Sequence, residues 1–229
     1  MLERFITFEG GEGVGKTTQI RRLAKRLEDR GEKVLVTREP GGSPCAEALR
    51  HVLLSGAAKA MGSDAEAILF AAARADHVSN TIKPALDRSA WVLCDRFVDS
   101  TRVYQGLAGV PAGMLLKLEE IATDGIMPGL TIILDIPATH SLKRIQARAE
   151  NTPGGGGLDR FETEPIEVHR KRRAAFLNLA KDEPKRCQVV AAVADADDVE
   201  QRIWQLVSDW YKLDDETSPL QAAISNTDR

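Results

Sequence analysis

The sequence predicts an α/β fold in which helices wrap a five-stranded parallel sheet. Short apolar runs bounded by polar or turn residues are typical of strands covered on both faces, and they lie at 5–8, 33–37, 91–94, 130–134 and 187–190. Helical patterns separate them at 16–30, 45–54, 65–86, 112–123, 138–149, 164–181 and 198–213. This alternation favours a parallel sheet that binds ligands beyond the carboxyl ends of its strands.

Length and charge narrow the class of protein. The 229 residues are enough for one domain, predicted over 1–213, followed by a polar tail at 214–229. A formal net charge of −3 gives no overall positive field to hold a nucleic-acid polymer, although local arginines can still bind a small anion. We find no apolar signal region and no apolar run of about eighteen residues, so we expect a cytoplasmic protein without a membrane partner.

A glycine-rich segment directly after the first strand carries the strongest functional signal. It fits the pattern G-x-x-x-x-G-K-[ST], whose backbone N–H groups cradle phosphates at the start of a helix. A flexible turn that matches by accident is the alternative. The cradle interpretation predicts that Lys16 reaches the β- and γ-phosphates of ATP and that the Thr17 hydroxyl holds Mg²⁺. The predicted ATP-binding residues are Gly10, Gly11, Glu12, Gly13, Val14, Gly15, Lys16, Thr17 and Thr18.

The phosphate cradle alone does not distinguish a kinase from a GTPase or a motor. The chain has no Asn-Lys-x-Asp guanine signature and no second domain of the size that a motor would need. It does carry arginines at the ends of predicted strands and helices: Arg38, Arg74, Arg96, Arg148 and Arg160. Phosphoryl transfer between two anionic nucleotides needs such cations, because they offset charge repulsion and clamp the transferring group.

The chain also carries several linked motifs, namely the segment 8–19, Thr37-Arg38-Glu39-Pro40-Gly41-Gly42, Asp95-Arg96-Phe97 with Ser100-Thr101, Tyr104-Gln105-Gly106 and Leu158-Asp159-Arg160-Phe161-Glu162. Together they resemble the thymidylate kinase family, over residues 5 to about 179. The resemblance implies a P-loop nucleoside-monophosphate-kinase-like fold with a short lid at about 149–161. It also implies ATP as co-substrate with Mg²⁺, dTMP as acceptor, and a homodimer. A kinase for another nucleoside monophosphate or a deoxynucleoside is the first alternative, and a nucleotide-sensing module that uses the P-loop as a switch is the second.

The resemblance also implies roles for individual residues. Phe70 would stack on thymine and Arg74 would donate to its O4, while Tyr104 would crowd the sugar 2′ position. Asp95 would share Mg²⁺ with Thr17. The whole predicted acceptor set is Glu12, Arg38, Glu39, Pro40, Phe70, Arg74, Arg96, Thr101, Tyr104 and Gln105. For Phe70 and Tyr104 the alternative is core packing, and for Asp95 with Arg96 it is a structural ion pair.

The source of the catalytic cation stays open at this stage. Because Val14 is not basic, the P-loop offers no arginine to the transition state, and we expect the lid to supply one. Arg148 and Arg160 flank the glycine run at 154–157, which is either a lid or a tolerated linker. We favour Arg148, and the predicted catalytic set is Lys16, Arg96, Arg148 and Arg160.

Other charged residues are predicted to be solvated. Lys143, Arg144 and the run Arg170-Lys171-Arg172-Arg173 are interpreted as exposed helix faces. The four histidines, His51, His77, His140 and His169, show no ligand spacing and no triad, so the sequence assigns them no chemistry.

Overall fold

The computed structural model describes residues 4–151 and 159–213. It contains the five predicted strands: β1 (Phe5–Glu9), β2 (Val34–Arg38), β3 (Trp91–Asp95), β4 (Leu130–Asp135) and β5 (Cys187–Ala191). They pair in parallel in the order β2-β3-β1-β4-β5, which confirms the predicted fold class. The glycine run of the predicted lid and the predicted tail at 214–229 lie outside the described residues.

Helices pack on both faces of this sheet. Within the described residues they are α1 (Lys16–Asp29), α2 (Pro44–Ser55), α3 (Ser63–His77), α4 (Lys83–Asp87), α5 (Val98–Leu107), α6 (Ala112–Thr123), α7 (Ala138–Asn151), α8 (Ile166–Asp182) and α9 (Ala196–Tyr211). A short 3₁₀ turn, Ala57–Met61, precedes α3. Across residues 4–151 and 159–213, no helix combines the length and the apolar content needed to cross a membrane.

The structure corrects two helix predictions. The continuous helix predicted over 65–86 is interrupted by a π turn at Val78–Ile82, close to Pro84, which has no backbone N–H to continue the helical hydrogen bonds. Helix α5 was not predicted at all. Its buried face carries Asp99, Thr101 and Gln105, so it lacks the apolar period by which a helix is recognised.

The alternation of side chains along β1 explains the two-sided core. Ile6 and Phe8 pack with α1 and α9 on one face, whereas Phe5 packs edge-on against Phe97 on the other, with ring centroids 5.0 Å apart. All five residues of β1 are buried. Since burying one large apolar side chain is worth about 1.5–3 kcal/mol, the central strand is a rigid support for the loop that follows it.

The functional edge of the sheet lies where β1, β2 and β3 end. Parallel pairing sets Phe8 and Arg38 beside Asp95, so three strand ends meet at one edge. The P-loop begins there at Gly10, whose φ of 124° disfavours other residues. A Cβ at Gly10 would also lie 2.6 Å from the Leu134 carbonyl oxygen, so only glycine lets the loop turn against β4.

Candidate active site

The P-loop leads into α1 as predicted and presents a buried lysine. Lys16 Nζ donates to the carbonyl oxygens of Gly11 at 2.8 Å and Gly10 at 3.4 Å. Burial, together with the nearby Arg96 guanidinium, lowers the pKa of Lys16 to about 8. A large cavity of about 550 Å³ opens in front of it, lined by Gly13, Gly15, Lys16, Thr17, Thr18, Arg38, Asp95, Arg96 and Arg148 among others. A charged phosphate ligand in this cavity would therefore favour the protonated lysine.

Thr17 and Asp95 lie together at the floor of the large cavity. The Thr17 hydroxyl donates to Asp95 Oδ2 at 2.9 Å, so the hydroxyl and the carboxylate share one small region. Hydroxyl and carboxylate oxygens are the ligands that Mg²⁺ prefers, and this ion usually keeps several waters as well. The two residues thus fit the predicted metal role.

Arg96 follows Asp95 in a left-handed backbone conformation, with φ of 71°. Its Nη1 donates to Gly10 O and Ser100 Oγ, both at 3.0 Å, and its Nη2 donates to Glu12 at 3.3 Å. Burial alone would lower the pKa of Arg96, but Tyr104 and the nearby carboxylates outweigh it and raise the pKa above the ordinary value. The guanidinium is consequently a fixed cation beneath the P-loop.

Glu9, to which the sequence assigned no role, holds the turn that carries Arg96. Its Oε1 accepts the backbone N–H groups of Phe97 at 2.8 Å and Ser100 at 3.2 Å, and its Oε2 accepts the Ser100 hydroxyl at 2.6 Å. Burial, with Asp99 adding, raises the pKa of Glu9 to about 7 against the opposing effect of Arg96. The end of β1 therefore positions the loop after β3 through a single carboxyl group.

A small cavity of about 90 Å³ adjoins the large one. Nine of the ten predicted acceptor residues line it, namely Glu12, Glu39, Pro40, Phe70, Arg74, Arg96, Thr101, Tyr104 and Gln105. The tenth, Arg38, lines the large cavity and pairs with Glu47 at 3.2 Å. Glu12, Glu39, Arg50, Arg96 and Asp159 line both cavities, so the two spaces share a wall.

Arg74 is held in place before any ligand binds. Its Nε donates to Glu39 at 2.7 Å and its Nη2 to the Phe97 carbonyl oxygen at 3.0 Å. Glu39 in turn contacts His77 Nδ1 at 3.0 Å, and His77 Nε2 lies 2.7 Å from the Thr37 hydroxyl. His77 therefore supports the acceptor pocket, although the histidine pattern gave no signal for it.

The two arginines that flank the predicted lid lie in different surroundings. Arg148 on α7 pairs with Glu162 and lines the large cavity, with 58% of its side chain exposed. Arg160 pairs with Glu66 at 2.7 Å and stacks on the Phe161 ring at 4.3 Å, so it lies toward α3 rather than the P-loop. Glu66 also accepts from Gln105 at 3.1 Å, which links Arg160 to the small cavity.

Part of the basic run on α8 is not solvated, and this prediction was wrong for Arg172. Helix α8 packs on α5 and α7, which turns one face of the run inward. His169 and Arg172 are buried on that face with Phe176 and Ala180. The sequence did contain a signal, because positions 169, 172, 176 and 180 are spaced three or four residues apart. His169 and Arg172 therefore lie on the same face of α8 as the apolar Phe176 and Ala180.

Three further arginines line the cavities without having been predicted there, and one of them is Arg21 on α1. Arg50 donates to the Pro40 carbonyl oxygen at 2.5 Å and lines both cavities. Arg144 is exposed as predicted, yet it donates to Val14 O at 3.4 Å and Ala192 O at 3.1 Å and lines the large cavity. Its position one helical turn before Arg148 was the available signal.

A P-loop at the end of a parallel strand and two adjoining cavities lined by cations define a nucleotide kinase of the P-loop class. The sequence model of the thymidylate kinase family matches residues 8–203, so the chain belongs to that family. The thymidylate kinase of Nitrobacter winogradskyi is 54% identical over 207 residues, which cover 90% of this chain and 88% of the relative.

Other relatives agree with this assignment. A thymidylate kinase of Rhodopseudomonas palustris strain TIE-1 is 55% identical, covering 89% of this chain and 88% of the relative. The crystal structure of thymidylate kinase from Ehrlichia chaffeensis superposes with a TM-score of 0.69 at 31% identity, covering 89% of this chain and 97% of the other. The expected family and enzyme class are thereby confirmed.

Proposed function

We propose that this protein transfers the γ-phosphoryl group of ATP to the 5′-phosphate of dTMP, giving dTDP and ADP. The observation that carries the proposal is the shared wall between the large and small cavities, where Arg96 and Glu12 lie. A donor polyphosphate in one cavity and an acceptor phosphate in the other would meet at Arg96. Membership of the thymidylate kinase family supports dTMP as the acceptor.

On the donor side, the protein binds and neutralises phosphate. The P-loop N–H groups and the amino end of α1 face the large cavity, and Lys16 exchanges its bonds to the loop carbonyls for phosphate oxygens. Thr17 and Asp95 would hold Mg²⁺, which when bound neutralises charge on the β- and γ-phosphates. We include Mg²⁺ as the metal cofactor on the basis of these two side chains.

On the acceptor side, the residues select and orient the nucleotide. Phe70 and Arg74 both line the small cavity. Phe70 would stack on thymine, and the Arg74 guanidinium would donate to O4, which favours thymine over a base with an amino group there. Tyr104 would exclude a 2′-hydroxyl. The acceptor phosphate is already anionic at neutral pH, so positioning and charge neutralisation suffice and no covalent enzyme intermediate is needed.

We assign the lid cation to Arg148. Its side chain lines the donor cavity and is 58% exposed, so phosphate can replace its contact with Glu162. Arg160 contacts Glu66 and Phe161 instead, which suits a residue that anchors the segment after the lid. The predicted lid at about 149–161, within a single kinase domain over 1–213, remains part of this proposal.

We also propose a cytoplasmic homodimer. Helix α3 packs side by side with α2 and α6, and large apolar side chains project outward from α3 and α6. Ile68 is 50% exposed and Leu116 is 58% exposed. Exposed apolar patches often mark protein–protein interfaces, so we propose that a second copy of the chain covers this face. Sedimentation of Ile68→Asp tests it, because a charge at the centre of this face should yield monomers.

The direct test of function is ADP release measured with one donor and a panel of acceptors. We expect dTMP to stimulate release far more than dCMP, dAMP, dGMP, dUMP or thymidine. Preference for a different monophosphate or for a deoxynucleoside would replace dTMP as the substrate. ADP release that no acceptor changes would support the nucleotide-sensing alternative.

A further inference from the structure

The carboxylate of Glu12 is surrounded by donors from two helices and a loop. Tyr104 of α5 donates its hydroxyl to Oε1, and Arg96 Nη2 lies 3.3 Å from the same oxygen. From α8, His169 Nδ1 and Arg172 Nη1 each lie 3.5 Å from Oε2. The transfer reaction described above does not account for the two residues from α8.

Arg172 and Arg96 both lie against the ring of Tyr104, whose hydroxyl donates to Glu12. The Arg172 guanidinium carbon lies 4.4 Å from the centre of that ring, and the Arg96 carbon lies 5.0 Å from it. Arg172 is fixed further by Glu164 and by the carbonyl oxygen of Phe161 at 3.3 Å. The arrangement directs two guanidinium groups and one phenol hydroxyl onto a single buried carboxylate.

A buried carboxylate needs this much compensation to remain charged. Burial alone would raise the pKa of Glu12, but His169, Arg96 and Arg172 together hold it well below its usual range. If the two α8 residues were absent, Arg96 would be the main cation on Glu12. Arg96 would then be drawn toward the carboxylate and away from the phosphates that it has to bridge.

We propose that His169 and Arg172 are positioning residues that hold Glu12 at the acceptor pocket and so leave Arg96 available to the phosphates. This inference rests on the proposed function. It gives α8, which follows the lid segment in sequence, a direct effect on the acceptor side of the reaction. Neither residue touches the reacting atoms, so each acts through Glu12.

Steady-state kinetics of Arg172→Gln and Arg170→Gln test the proposal. Arg170 lies two positions away on the same helix with 55% of its side chain exposed, so it is a matched surface control. We expect Arg172→Gln to raise KM for dTMP about tenfold and to lower kcat, with KM for ATP nearly unchanged. Arg170→Gln should behave as the wild type. Equal changes in the two KM values for Arg172→Gln would overturn the proposal.

A double-mutant cycle with Glu12→Gln separates positioning from general support of the fold. Once residue 12 is neutral, Arg172 no longer has the Glu12 carboxylate to hold, although it keeps Glu164. Arg172→Gln should then lower kcat/KM for dTMP less than about threefold. The same fold-loss in both backgrounds would make Arg172 a scaffold residue and contradict the proposal. Should Arg172→Gln fail to fold, His169→Asn completes the cycle under the same criteria.

Wild-type acceptor preference is measured beforehand, which keeps the two ideas distinguishable. If the wild type ignores dTMP, the proposed function fails. If the wild type uses dTMP and the cycle is additive, only the positioning role fails.

Discussion

The acceptor and donor halves of the site differ in how completely they are built. In the small cavity, the buried Arg74 bonds to Glu39, which the buried His77 supports from behind, so the pocket has its shape without a ligand. In the large cavity, Lys16 bonds to its own loop, and Arg148 pairs with Glu162 while 58% of the Arg148 side chain stays exposed. Recognition of the base is therefore preorganised, whereas the donor cations must change partners when phosphate arrives.

This difference predicts that substitutions in the donor half and in the acceptor half of the site impair different properties of the enzyme. Removing a donor cation should reduce kcat, because that charge is used mainly in the transition state. Removing an acceptor side chain should raise KM for dTMP and should also destabilise the fold, because its partner is left buried and unpaired.

Lys16→Ala should give the largest effect, a loss of kcat of roughly a thousandfold or more, because the ammonium neutralises charge on the transferring group. Binding of dTMP in the small cavity should persist, as measured by calorimetry. Lys25→Ala is the control, since Lys25 lies on the outer face of the same helix and pairs with Asp29. Full turnover by Lys16→Ala would contradict the P-loop assignment.

Arg148→Ala should lower kcat by roughly a hundredfold or more, since an arginine finger contributes about 10³ to 10⁵. Arg160→Ala should lower kcat less and should reduce the melting temperature, because Glu66 loses its arginine partner and keeps Gln105. The larger kcat loss in Arg160→Ala would transfer the catalytic role to that residue. If the double variant keeps a near-normal kcat, neither lid arginine is needed, and Arg96 and Lys16 alone neutralise the charge of the transition state.

The strand pattern and the P-loop were predictable because local sequence determines both. Buried parallel strands show as apolar runs, and the phosphate cradle needs glycine and lysine at fixed spacing. Helix α5 was missed for the opposite reason, since its buried residues mix Asp99, Thr101 and Gln105 with Val98 and Val103 and so form no continuous apolar stripe. The π turn at 78–82 was missed because the apolar pattern continues through it.

The sequence predicted most residues that line the site, but it did not predict the residues from distant segments that hold them in place. The family resemblance supplied nine residues that line the small cavity, but it said nothing of Glu9 holding the turn after β3. His77 and Arg172 each act through a carboxylate far away in sequence. A charged run on a helix is ambiguous until the packing of that helix is known, and α8 turned one of its arginines inward.

Arg74→Ala should raise KM for dTMP about tenfold or more, while KM for ATP changes little. The physical reason is twofold: a donor to the base is lost, and Glu39 keeps only His77 as a buried partner. Thermal unfolding should show the accompanying loss of stability, of about 3–5 kcal/mol for a broken buried pair. Equal losses for the two nucleotides would place Arg74 in the scaffold alone.

The smallest expected effect is a change in proton uptake, and it follows from Lys16. In the free protein, burial and Arg96 lower the pKa of Lys16 to about 8 from 10.5. Between these two values the unfolded chain therefore binds more protons than the folded one. The burial of charged Lys16 lowers the free energy of unfolding, and this loss of stability becomes smaller as the pH rises from about 8 to 10.5. Phosphate in the large cavity favours the charged form and should raise the pKa again.

Nucleotide binding above about pH 8 should consequently take up part of one proton on Lys16. Calorimetry at about pH 8.5 in two buffers of different ionisation enthalpy measures this uptake directly. Lys16→Met is the matched variant, because it keeps the length of the side chain and cannot bind a proton. Equal uptake by the wild type and Lys16→Met would mean that Lys16 is already fully charged in the free protein, and the donor half would then be as preorganised as the acceptor half.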